Sequence, residues 1–192
     1  KIEKLYHTLV NIIAKTKNWN QLTVISDRAY SNKIINKQEA NENKSIALYE
    51  IAKIKMKSEI KEAIKIIEKA LSYKNNFPPY IAIYIEMLFS INNRKKIQKV
   101  LKKYWSETPN SALRYSITNV LKTNKISELS FINNFVSKNK DNDESKKFLV
   151  DFAILFNEWD IARENIKGLV GPNPTREVCL FMSEIELGES ND

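Results

Sequence analysis

The sequence predicts an all-α chain. It should wind as a right-handed α-solenoid of about five helical hairpins plus a terminal helix, in a single domain over residues 1–192. Three observations lead there. Apolar residues recur at helical spacing almost throughout, glycine is nearly absent, and a longer beat of 32 to 34 residues runs through most of the chain.

The helices can be read in order. Leu5, Leu9, Ile12 and Ile13 open the first apolar stripe; Ile60, Ala63, Ile64, Ile67 and Leu71 form another. Leu113, Ile117, Val120 and Leu121 repeat the pattern, as do Phe148, Phe152, Leu155 and Phe156. The breaks fall at Asn75-Asn76-Phe77-Pro78-Pro79, Asn92-Asn93, Glu107-Thr108-Pro109-Asn110 and Gly171-Pro172-Asn173-Pro174. Asn side chains there can accept from the unsatisfied amides of a first helical turn, and Pro fits that turn without losing a hydrogen bond. A last helix is expected from about Pro174 to Leu187.

Taking Leu22, Ala63, Ile97, Leu129 and Ala162 as equivalent positions in successive second helices gives separations of 41, 34, 32 and 33 residues. Twelve residues earlier stand Val10, Ile51, Ile85, Ile117 and Val150, and three residues earlier Trp19, Ile60, Arg94, Ile126 and Trp159. A 34-residue helix–turn–helix period is that of the tetratricopeptide repeat. An antiparallel bundle has no reason to keep such a beat. The 41-residue step implies a longer connector or an extended helix near Ser31–Asn43.

Glycine scarcity excludes chemistry as well as β-hairpins. Only 3 of 192 residues are Gly, all after position 167, so no G-x-G-x-x-G, phosphate-binding loop or G-x-S-x-G can be written before Gly168. One Cys and one His, Cys179 and His7, supply neither a disulfide nor a Cys/His zinc site. The expectation is a non-enzyme without catalytic residues, cofactor or metal. No apolar run is long enough to span a bilayer.

Charge is uneven. Residues 1–105 carry 21 basic and 9 acidic side chains, residues 106–192 10 and 14. Lys outnumbers Arg 26 to 5, and Ile and Asn number 25 and 22, a composition that itself accounts for much of the excess. Phosphate and base recognition leans on Arg, so nucleic acid is disfavoured. No Arg-and-aromatic column of the kind used by one-base-per-repeat readers is present.

The run Lys102-Lys103-Tyr104-Trp105-Ser106-Glu107-Thr108-Pro109-Asn110-Ser111-Ala112-Leu113 resembles the W-x(3)-P-H-P-x-L stretch of alphaproteobacterial HemY-type proteins. Arg176-Glu177-Val178-Cys179-Leu180-Phe181-Met182-Ser183-Glu184-Ile185-Glu186 resembles that family's R-x-C-x-L-M-A-E-I-E signature. Trp159 with Ala162-Arg163 is similar to its W/F-x-x-A-R turn, and Asn76-Phe77-Pro78-Pro79 to its proline-opened helix. Asn110-Ser111 replaces the family's His-Pro, so any role of that histidine is absent.

The resemblance implies a bacterial inner-membrane protein whose amino-terminal anchor precedes this fragment. It implies a tetratricopeptide domain on one side of the membrane, the cytoplasmic side being favoured, and an association with haem and porphyrin biosynthesis. An unrelated flavin-dependent protoporphyrinogen oxidase shares the name. That activity needs the dinucleotide-binding glycines this chain lacks.

In a solenoid of this kind the first helices of the hairpins line a concave groove. Its polar contacts are expected to be His7, Asn11, Lys55, Glu86, Arg114, Thr118 and Asp151, with Glu184 at the sixth outward position. The expected partner is a protein segment, in the family context an enzyme of porphyrin metabolism, and Arg114→Glu should weaken its capture without unfolding the chain. Lys61, Lys65, Lys69, Arg94, Lys95, Lys99 and Lys102 form a candidate basic surface, for which an anionic membrane is the alternative partner. Tyr80, Tyr84, Tyr104, Trp105, Trp19 and Trp159 are expected in the core. Cys179 and Met182, three residues apart, are expected as a packed sulfur pair rather than haem ligands.

Overall fold

A computed structural model describes residues 2–125 and 128–190 and contains no strand among them. Eleven α-helices follow one another: α1 Ile2–Lys15, α2 Trp19–Ser31, α3 Lys37–Lys55, α4 Ile60–Tyr73, α5 Pro78–Ser90, α6 Arg94–Glu107, α7 Ser111–Thr123, α8 Leu129–Val136, α9 Asp143–Leu155, α10 Trp159–Lys167 and α11 Arg176–Glu189. A 3-10 turn, Ser137–Asn139, follows α8. They form two compact units, Lys1–Asn92 and Asn93–Asp192.

Asparagine starts many of these helices. The side-chain oxygens of Asn18, Asn36, Asn93, Asn110 and Asn142 accept from amides in the first turns of α2, α3, α6, α7 and α9, and Pro78 opens α5. The turns are made without glycine. Lys17, Lys33, Asn76, Asn92, Lys125 and Asn157 hold the left-handed conformation, with φ between 52° and 59°, and no glycine has a positive φ. Three of them precede caps of nearly the same shape: Asn18 at φ −85°, ψ 65°; Asn93 at −91°, 63°; Glu158 at −88°, 67°. The same two-residue turn therefore introduces α2, α6 and α10.

In the first unit, α2 and α4 each pack against α3, and α5 packs against α4. Ile13, Leu22 and Ala47 form one apolar cluster and Tyr6, Ala29, Ile35 and Ala40 another. Small residues occupy the closest approaches: Ala47, Ala52, Ala63 and Ala70 are fully buried. The long sequence step is taken up by α3, which runs for 19 residues. It also shifts the register, since Ile51, aligned with the buried Ile85, Ile117 and Val150, is partly exposed while the next residue, Ala52, is fully buried. Tyr80 stacks on Tyr49 with ring centroids 4.7 Å apart, and its hydroxyl lies 3.3 Å from the Ser45 hydroxyl.

In the second unit α6 packs on α8, α9 on α7 and α10, and α11 on both α9 and α10. Trp105 is fully buried between the rings of Phe135 and Phe148, and its indole N–H donates to Ser145 Oγ at 2.8 Å. Val150, Ala153, Ala162, Ile166, Val178, Phe181 and Ile185 make the core of the last three helices.

The helices α2, α4, α6 and α10 begin at Trp19, Ile60, Arg94 and Trp159 as their spacing predicts, whereas Ile126 lies outside the described residues. The fourth aligned position departs. α8 begins at Leu129, which is only partly buried, and Ile132 takes the fully buried place. Tyr80, Tyr84, Tyr104 and Trp105 are buried as expected, and Trp19 and Trp159 partly so. The sulfur pair is corrected: Cys179 and Met182 are both exposed, because Val178, Phe181 and Ile185 form the inward face of α11. No described helix is long and apolar enough to cross a membrane.

Candidate functional site

The expected groove residues fall in both units. In the first, Asn11 and Glu86 are exposed on α1 and α5. His7 is half exposed on α1, 3.5 Å from Glu39 and 3.8 Å from Glu3. Lys55 closes α3, with its ammonium 3.0 Å from the carboxylates of both Glu59 and Glu62, so it caps the α3–α4 turn. None of the four lines the cleft walled by Ile2, Leu5 and Ile25 or the one walled by Lys37, Glu42 and Tyr73.

The second unit brings its residues together. A cleft of about 280 Å³ is lined by Tyr115, Thr118, Asn119 and Lys122 of α7, Asp151, Ile154 and Leu155 of α9, and Glu184 of α11. Thr118, Asp151 and Glu184 stand 33 residues apart, so one outward helical position, repeated on three successive first helices, makes the wall. Ile154 and Leu155 supply an apolar floor. Thr118 Oγ1 is buried in this wall and has no hydrogen-bond partner within the described protein.

Arg114 corrects the sequence reading. It was expected as a groove contact, yet it is fully buried. Its Nε donates to Glu144 at 3.2 Å, its Nη1 to Asp151 at 2.6 Å and its Nη2 to Glu177. The guanidinium also lies 4.4 Å from the centre of the Tyr115 ring, and the Tyr115 hydroxyl donates to Glu177. Lys147 completes the cluster, reaching Glu144 at 3.2 Å and Glu177 at 3.0 Å. Three carboxylates around one guanidinium thus clasp α7, α9 and α11, and the burial of Arg114 keeps it from a partner.

Burial pulls the Arg114 guanidinium toward its neutral form, but the hydrogen bond to Glu177 and the charge of Asp151 outweigh it and hold the group charged. Burial likewise pushes Glu177 up, and bonds from Tyr115, Lys147 and Arg114 overcome it, bringing the carboxyl down to about 2. Asp151 goes the other way. Burial raises it beyond what Arg114 can offset, and the nearby Glu177 and Glu184 charges add to the rise.

The clasp was missed from sequence, although a signal for it exists. Glu144 and Glu177 stand 33 residues apart, one repeat, and Arg114 and Lys147 occupy an equivalent pair of positions. Alternating charge columns on adjacent first helices announce inter-helix pairing, whereas a groove reading treats each column alone.

The basic residues are on the surface. Lys61, Lys65 and Lys69 lie exposed along α4. On α6, Lys95 and Lys99 are exposed, Lys102 is half-buried and Arg94 is paired to Glu128 at 2.8 Å. No group of three or more metal-ligating side chains occurs among the described residues. No protein-family model matches the chain, and no curated protein matches it.

Proposed function

We propose that this chain is a non-catalytic, tetratricopeptide-like scaffold that holds a peptide segment of a protein partner against the first helices of its hairpins. The observation that carries the reading is the cleft in the second unit, where Thr118, Asp151 and Glu184 converge from three successive first helices. The recurring turn before α2, α6 and α10 supports the hairpin repeat. The chemistry suits an extended backbone. The exposed Asn119 amide can pair with peptide groups, Ile154 and Leu155 take an apolar side chain, and Asp151 and Glu184 favour a basic one.

The resemblance of Arg176–Glu186 to HemY-type proteins extends the proposal to an enzyme of porphyrin metabolism as partner and to an inner-membrane setting. Crosslinking in cells followed by mass spectrometry identifies that partner. Glu184→Lys combined with Asn119→Trp should then weaken its binding about tenfold or more while helical circular dichroism stays unchanged. Unaltered affinity for the crosslinked partner would remove the cleft from the proposal.

A second reading rests on Lys61, Lys65 and Lys69, whose shared exposure on α4 suits an anionic membrane surface. It requires co-sedimentation with anionic vesicles that is lost in high salt, and no sedimentation at low salt discards it.

A further inference from the structure

The first helix presents an apolar face that nothing in the first unit covers. Ile2, Leu5, Leu9 and Ile12 are exposed by 66, 65, 41 and 52%. Their spacing of three, four and three residues is that of a coiled-coil seam. Tyr6 and Ile13 on the adjoining face are buried, so only half of the apolar sector of α1 is packed. Beside the stripe lies a cleft of about 290 Å³ that Ile2, Leu5 and Leu9 share with Ile25 and Ile34 of the α2 region, with Arg28 at its rim. Four exposed aliphatic side chains at seam spacing beside a cleft mark a helix-docking surface.

Charge selects the occupant. Residues 2–36 hold five basic and two acidic side chains, so two α1 faces would repel each other. Residues 143–190 hold ten acidic and five basic ones. Their last helix, α11, turns Leu180 and Leu187 to solvent at 52 and 63% exposure, one heptad apart, with Glu184 between them.

We propose that α11 of a second copy docks along the Ile2–Leu5–Leu9–Ile12 stripe of α1, so that copies associate head to tail. Such a contact joins two different surfaces, and each copy keeps one of each free for the next. The apolar rows supply attraction, and the opposite net charges set orientation and make association weaken with salt.

Sedimentation velocity over a concentration series tests this on the full chain. The wild type should form a ladder of oligomers that shortens at high salt. Leu5→Glu and Leu180→Lys each remove one face at an exposed site and should each be monomeric, with unchanged circular dichroism. An equimolar mixture of the two should form a 1:1 dimer and nothing larger, because one variant keeps α11 and the other keeps α1. A wild type that stays monomeric at every concentration overturns the proposal. So does a Leu180→Lys protein that still dimerises, which would pair α1 with α1. Binding of α1 to anionic vesicles without self-association would give the stripe to lipid and equally overturn it.

Discussion

Arg114 decides more of the second unit than any other side chain. Removing it leaves Glu144, Asp151 and Glu177 facing one another with only Lys147 between them. Arg114→Leu is therefore expected to lower stability by about 3–5 kcal/mol, read from the urea midpoint. Arg114→Glu should leave the second unit unfolded rather than merely deaf to a partner. The carboxylates are not equal. Glu177 is held well below the usual carboxylate range whereas burial raises Asp151, so Glu177→Gln should cost about 1–3 kcal/mol at neutral pH and Asp151→Asn less.

The acid response follows from the same pair. Glu177 falls from an ordinary 4.5 to about 2 on folding, so the stability it contributes is full above 4.5 and is lost as pH drops from there toward 2. Asp151 is raised above its ordinary 3.8, so its contribution is present below 3.8 and fades as pH rises through its folded value. Urea midpoints measured from pH 2 to 6 should accordingly fall less steeply on acidification in Glu177→Gln than in the wild type. The backbone offers one more residue-scale test. Lys17 pays for a left-handed turn that glycine takes freely, and Lys17→Gly should raise stability by roughly 0.5–1 kcal/mol in thermal unfolding.

Among elements, the α10–α11 pair is the most tightly specified. A Cβ built at Gly188 would lie only 2.3 Å from the Trp159 ring, so this glycine is what lets α11 lie against α10. Gly188→Ala should cost about 1–3 kcal/mol and shift the tryptophan emission as Trp159 is displaced. Arg163 ties the same helices, reaching Glu186 at 3.0 Å and Glu189 at 2.8 Å.

Elements are also where the sequence could be read well. Helical spacing and Asn caps located the helices, and the repeat alignment, with its one 41-residue step, located the starts of α2, α4, α6 and α10, three of which follow the same turn. The α8 register was not legible. Leu129 and Ile132 are both aliphatic and one turn apart, and only packing against α6 chooses between them. The candidate site was legible where it depended on the outward column, as at Thr118, Asp151 and Glu184. It failed at Arg114, since a single sequence position carries no mark of how many carboxylates neighbouring helices bring to it.

For the whole molecule, the clasp has a bearing on motion. A helix with few packing neighbours is ordinarily among the first to open. Here α11 is joined through Glu177 to Arg114, and so to α7. Backbone amides of α11 should then exchange with deuterium on the same timescale as those of α7, instead of showing the rapid labelling of a frayed end. In Arg114→Leu the two rates should separate, with α11 labelling first. In the wild type α11 and α7 would then open as one cooperative block, held together by a single guanidinium.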